Sequence, residues 1–186
     1  MTCPDFQGST PFHLAIQRSA TKCLYQALHY LPKQILEIPD SQSRLPLILA
    51  VQLANTEAIQ LLIQAEADVN VVDEATGRTP LHFAVELGEL GAGIIEFLIQ
   101  RGGQLDILDG NGLTPIHLAS IVESKEPLVA ITKVVGGGEV LDLPDGQGRT
   151  PLMYACSYGN EENVKFLIKK KVKLMLIITF QGHVCS

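Results

Sequence analysis

One six-residue segment recurs five times in this chain of 186 residues. Its copies are Thr10-Pro11-Phe12-His13-Leu14-Ala15, Leu45-Pro46-Leu47-Ile48-Leu49-Ala50, Thr79-Pro80-Leu81-His82-Phe83-Ala84, Thr114-Pro115-Ile116-His117-Leu118-Ala119 and Thr150-Pro151-Leu152-Met153-Tyr154-Ala155. The prolines fall 35, 34, 35 and 36 residues apart. A period this regular predicts stacked copies of one small unit, each too small to bury its apolar face alone.

Each copy reads the same way. Asp5-x-x-Gly8, Asp109-x-x-Gly112 and Asp145-x-x-Gly148 are turn signals. Threonine then caps a helix whose first residue is proline, where the missing N–H costs nothing. Alanine at a fixed place lets the next helix approach closely. A polar break follows, then a second amphipathic helix. In the second copy it spans about 56–64, with Ala58, Ile59, Leu62 and Ile63 on one face. In the third it spans about 92–101, with Ile94, Ile95, Leu98 and Ile99. In the fifth it spans about 161–170, with Val164, Leu167 and Ile168.

These features resemble the ankyrin repeat, with its T-P-L-H-x-A signature. The resemblance covers roughly residues 5–173. It implies an all-α chain: an ankyrin-repeat α-solenoid of helix-turn-helix pairs with β-hairpin loops, five repeats plus an incomplete sixth. The expected single domain is 1–186, with repeats near 5–39, 40–72, 73–108, 109–144 and 145–178, and 179–186 as the start of another. Thr179-Phe180-Gln181-Gly182 echoes Asp5-Phe6-Gln7-Gly8. No polar capping helix is apparent at either end, so the expectation is a fragment, a truncated product or an array end covered by a partner. Leu174–Phe180 then reads as a β-prone, aggregation-liable segment.

The second copy departs from the pattern. Leu45 replaces Thr, Ile48 replaces His and Ser43 replaces the turn Gly, which predicts a weaker cap. Glu66 stands where glycine usually follows the second helix, and is expected to accept a left-handed conformation at some cost.

The stretch from Ala67 to Glu86 carries one extra hairpin residue before Gly77-Arg78-Thr79-Pro80-Leu81-His82-Phe83-Ala84-Val85. With the elongated link Tyr30 to Pro39, it is similar to the NF-kappa-B inhibitor (I-kappa-B-like) family and the Rel precursors. That resemblance implies a cytoplasmic, or cytoplasmic and nuclear, protein that binds and masks a Rel-type transcription factor with a basic surface. Charge agrees. Residues 1–72 hold 4 basic and 6 acidic side chains, 73–144 hold 4 and 11, and 145–186 hold 6 and 3. An acidic middle repels nucleic-acid phosphate and favours a basic partner. The sequence has no Asp-Ser-Gly-x-x-Ser phosphodegron and no acidic C-terminal tail. The alternative is a scaffold piece of a larger protein such as a channel, enzyme or ciliary scaffold.

Other classes are disfavoured. Hydrophobic residues make up 46% and charged residues 18%, against the composition of a disordered chain. The longest apolar run, Leu174 to Phe180, is far short of the ~20 residues that span a bilayer. No secretory signal is visible at the N-terminus. The four cysteines (Cys3, Cys23, Cys156, Cys185) form no C-x-x-C pair, which points to a reduced intracellular setting. His13, His82 and His117 share one repeat position and are expected to bond neighbouring turns, about 10 Å apart and too far to share a metal. Cys156 reads as core. Gly136-Gly137-Gly138 is expected to end a helix rather than cradle phosphate. Lys165, Lys169, Lys170, Lys171 and Lys173 read as cations at a helix C-terminus. No cofactor, metal or small-molecule substrate is expected, nor an enzyme.

Binding is the remaining reading. The family resemblance places partner contacts at hairpin tips and at the exposed ends of first helices. By matching position the tip residues include Arg44, Arg78, Asn111, Leu113 and Arg149, and the helix-end residues include Leu53, Glu86, Leu87, Ile121, Val122 and Tyr158. Leu53, Leu87, Ile121, Val122 and Tyr158 are expected to form an exposed apolar stripe.

Overall fold

The computed structural model describes residues 9–136 and 138–170. They form ten α-helices in five pairs: α1 (Pro11–Gln17) with α2 (Thr21–Tyr30), α3 (Pro46–Gln52) with α4 (Thr56–Gln64), α5 (Pro80–Glu86) with α6 (Ala92–Gln100), α7 (Pro115–Ile121) with α8 (Glu126–Val135), and α9 (Pro151–Ser157) with α10 (Glu161–Lys169). The first helices stack in chain order, α1 on α3 on α5 on α7 on α9. One continuous core runs from Phe12 to Leu167. The chain is therefore an α-solenoid, as the period predicts. Phe6, Gln7, Lys171, Lys173, Leu174–Phe180 and the sixth-repeat start at 179–186 lie outside the described residues.

Every first helix has seven residues with proline at its start. The residue before each proline is extended, as proline's ring demands of its predecessor. The inner ones are nearly enclosed. Every residue of α3 from Pro46 to Val51 is buried, as is every residue of α5 from Pro80 to Val85. Full burial of an aliphatic side chain such as Leu47 or Leu49 stabilises by about 1.5–3 kcal/mol.

Among the described residues no strand forms. The expected β-hairpins are tight turns in which the aspartate N–H donates across the base, Asp40 to Arg44 C=O (3.0 Å), Asp73 to Arg78 (2.8 Å), Asp109 to Leu113 (2.8 Å) and Asp145 to Arg149 (2.9 Å), and the aspartate C=O accepts from Ser43, Gly77, Gly112 and Gly148 in turn. The extra residue in the third turn has a use. The Thr76 carbonyl accepts the Gly110 N–H at 2.8 Å, joining the third and fourth turns.

Several sequence expectations change. Ile168 is 54% exposed, because no helix pair among the described residues packs over it. Cys156 is exposed on α9 rather than in the core. Glu66 does take a left-handed φ of 70°. Ser19, Ser43 and Ala54 do the same at turn positions, where later repeats use Gly77, Gly88, Gly112, Gly148 and Gly159. The N-terminal repeats thus carry backbone strain that the later ones avoid. Gly136 ends α8 in the left-handed conformation.

Candidate protein-interaction surface

Each turn is organised by a buried aspartate. Asp40 Oδ1 accepts the N–H of Gln42 and of Arg44, Asp109 Oδ1 those of Asn111 and Leu113, and Asp145 Oδ1 those of Gln147 and Arg149. In the longer third turn Asp73 Oδ2 accepts the Thr76 N–H and hydroxyl. The second oxygen is used too. Arg44 Nη2 pairs with Asp40 at 2.6 Å, and Arg149 Nε with Asp145 at 2.8 Å. Arg78 reaches across repeats to Asp109 at 3.4 Å and along its own repeat to Glu86 at 2.6 Å. Burial alone would raise the pKa of Asp40, but the Arg44 guanidinium and backbone N–H groups outweigh it and hold the carboxyl below its ordinary value. The same contest resolves the same way at Asp145, where Tyr154 also donates its hydroxyl at 2.7 Å. Burial, then that bond, pushes Tyr154 up to about 12.

The histidines lock one repeat to the next. Nδ1 of His13, His82 and His117 accepts the N–H of Thr10, Thr79 and Thr114. Nε2 therefore carries the proton and donates to a carbonyl of the following repeat: Arg44 at 2.8 Å, Leu113 at 3.1 Å and Arg149 at 2.9 Å. Burial lowers all three pKa values, although the bond to the carbonyl works the other way. These imidazoles hold turns in place, as the repeat position predicts. In the second repeat Ile48, wholly buried, takes that place and α3 has no capping side chain.

The predicted contact residues divide into two groups. Leu53 is 50% and Tyr158 62% exposed, at corresponding ends of α3 and α9. Tyr158 stacks on Tyr154, over which Arg149 lies 4.6 Å from the ring centroid. Glu86 and Asn111 are exposed. Leu87, Leu113, Ile121 and Val122 are half-buried, and Leu87 and Val122 pack on the core. The apolar stripe is thus broken at its middle. The reason is local. A 3-10 turn, Gly88–Gly91, follows Leu87 directly, and Val122 leaves the helix at ψ 137° with its carbonyl taken by Asn160 Nδ2 (2.6 Å) and Asn163 Nδ2 (2.9 Å). Arg44, Arg78 and Arg149 are held in ion pairs rather than free to reach out.

Sequence reasoning missed Leu90, 77% exposed in the 3-10 turn beside Leu87. The signal was available, since five residues separate α5 from α6 where three separate α3 from α4. It also missed Asn163, wholly buried on α10, whose amide donates to the carbonyls of Ala119 and Ser120 as well.

Among the described residues no group of three or more His, Cys, Asp or Glu side chains converges to hold a metal. None of the described helices is long and apolar enough to cross a membrane. Lys165 pairs with Glu161 at 3.0 Å, and Lys170 lies over the Phe166 ring.

A family model for ankyrin repeats (3 copies) matches residues 1–73, 25–102, 47–133 and 91–177. Inversin of Canis lupus familiaris is 34% identical over 130 residues, covering 70% of this chain and 12% of that protein. The putative palmitoyltransferase ZDHHC13 of Danio rerio is 33% identical over 126 residues, 64% of this chain and 18% of that protein. The B-cell lymphoma 3 protein homolog of Mus musculus is 30% identical over 118 residues, 62% of this chain and 26% of that protein. In each case the aligned part is a minor share of the relative's length. Among solved structures, the ankyrin repeat domain of Bcl-3, described as a unique member of the IkappaB protein family, matches with a TM-score of 0.75 at 28% identity. That match covers 90% of this chain and 71% of that one.

Proposed function

This chain belongs to the ankyrin-repeat family, and we propose that it is a non-catalytic docking module that grips a protein with a basic surface, in the manner of an I-kappa-B-like inhibitor masking a Rel-type transcription factor. An ankyrin stack is a protein-interaction module: it offers a long, rigid surface without an enclosed reaction chamber. The likeness to the Bcl-3 repeat domain over nine-tenths of this chain carries the finer reading. The acidic stretch 73–144 supports it, because a basic partner would be steered there. The contact face is the row of turn tips and first-helix ends, with Leu53 and Tyr158 as apolar anchors, Leu90 in the turn after α5, and Glu86 and Asn111 as polar rim. Tyrosine, with tryptophan and arginine, is enriched among the residues that dominate binding.

The test is fluorescence anisotropy of a labelled Rel-homology dimer titrated with this chain. The expected dissociation constant is about 1 μM or tighter at moderate salt, weakening as salt rises. Leu53→Glu combined with Tyr158→Ala should weaken binding at least about tenfold with helicity intact. Absence of binding at about 10 μM removes the Rel reading. A second reading, a scaffold segment within a larger protein, is supported by the small share of inversin and the palmitoyltransferase that the alignments cover. It predicts the same docking face and no affinity for a Rel dimer.

A further inference from the structure

Two adjoining pockets of about 280 and 320 Å³ open where the first two repeats meet the third turn. They share Glu37, Leu45, Asp68 and Val71 and so form one groove. Leu36, Leu45, Leu47 and Val71 give it an aliphatic lining. Its rim is acidic: Glu37, Asp68 and Glu74. Glu66, also on the rim, is answered by Lys33 at 2.5 Å. Glu37 and Glu74 are exposed and have no cation partner among the described residues. Like charges converging on an apolar slot repel one another, and a cation entering the slot relieves that repulsion.

The groove also accounts for a departure from the repeat pattern. Leu45 stands where threonine caps three of the other four first helices with a bonded histidine, and losing such a cap costs about 1 kcal/mol. Its side chain is only half-buried and forms one wall of the slot. Leu45 and Leu47 lie at the start of α3, whose far end carries Leu53. The slot therefore lies at the opposite end of α3 from Leu53 and meets the turn row only at Ser43 and Glu74.

We propose that this groove binds a short basic peptide carrying aliphatic side chains, at a place distinct from the Leu53 and Tyr158 helix ends. The aliphatic side chains enter between Leu45 and Val71, and the flanking ammonium or guanidinium groups meet Glu37 and Glu74.

The test uses the full chain and a fluorescein-labelled hexapeptide alternating lysine with leucine, with a lysine–glycine hexapeptide as counterpart. The expected result is saturable binding of the leucine peptide that is at least about tenfold stronger than that of the glycine peptide, and that weakens about tenfold in Glu37→Gln/Glu74→Gln. Glu89→Gln/Glu139→Gln removes the same charge from exposed sites elsewhere and should leave binding unchanged. All four glutamates are exposed, so circular dichroism should be unaltered. No saturable binding, equal binding of both peptides, or equal loss in both double variants would overturn the proposal. Concentration-dependent self-association that Glu37→Gln/Glu74→Gln abolishes would assign the slot to a second copy of the chain, and overturn it equally. None of these outcomes depends on whether a Rel dimer binds.

Discussion

Protonating His13, His82 or His117 sets a new N–H on Nδ1 against the threonine N–H that this nitrogen now accepts. Folding therefore selects the neutral ring, and burial lowers the folded pKa below the unfolded value of about 6.5. A lowered folded pKa contributes stability that is complete above about pH 6.5 and is lost as pH falls toward the folded value. Three such groups give a slope of at most about 4 kcal/mol per pH unit. Asp40 and Asp145 are lowered too, but their contribution is lost only near and below the unfolded carboxylate value of about 3.9. Urea denaturation at pH 7.5 and 5.5 should show lower stability at the acid value; equal midpoints would contradict the histidine account. Glycine 91 makes a second residue-level case. A Cβ built there would lie 1.9 Å from the Ala84 carbonyl oxygen, so backbone has to move. Gly91→Ala should cost about 1–3 kcal/mol, read as a lower urea midpoint, whereas Gly93→Ala, with open space around it, should not destabilise.

Two of the five second helices, α4 and α10, are attached to the repeat before them through asparagines. Asn55 Oδ1 caps α4 by accepting the Ala58 N–H at 3.1 Å, while its Nδ2 donates to Ile16 C=O at 3.4 Å. Asn160 does both jobs for α10, at 3.2 Å to Asn163 N–H and 2.6 Å to Val122 C=O. Asn160→Ala removes a cap and a bridge together and should destabilise by about 1–2 kcal/mol. Restoring the cap alone with Asn160→Ser should recover only part of that loss; full recovery would show that the bridge to Val122 is unimportant. The second repeat solves its problem differently. Ile48 in the histidine place forgoes a bond worth about 1 kcal/mol net and gains aliphatic burial worth about 1.5–3 kcal/mol. Its altered motif is thus compatible with a first helix buried from Pro46 to Val51.

Across the whole array, protection should follow the number of neighbours each helix has. Stacked repeats contact only adjacent copies, so among the described residues the first and fifth repeats have one neighbour and the middle ones two. Helix α2 buries only Leu24, and α10 only Asn163 and Leu167, whereas α5 buries six of its seven residues. Native-state hydrogen exchange should be slowest in α3, α5 and α7 and fastest in α2 and α10. Uniform protection along the chain would show a single cooperative block rather than a stack. Left-handed Ser19, Ser43, Ala54 and Glu66 all lie in the first two repeats, which weights the imbalance further toward the N-terminal end.

The period, the five helix pairs, the histidine locks and the left-handed Glu66 were all legible from residue order. Each depends on chemistry within one repeat or on its regular recurrence, and both are written locally. Exposure was legible only in part. Matching position to the family pattern marked Leu53, Leu87, Ile121, Val122 and Tyr158 as one apolar row, but only the folded stack distinguishes Leu53 and Tyr158, left open, from Leu87 and Val122, packed on the core. A side chain's orientation about its own helix follows from spacing. Whether solvent reaches it depends on what the fold places there: the carbonyl contacts of Asn160 and Asn163 at Val122, the 3-10 turn beside Leu87, or nothing among the described residues over Ile168. Asn160 and Asn163 lie about one repeat from Val122 in the chain and are adjacent to it only in space.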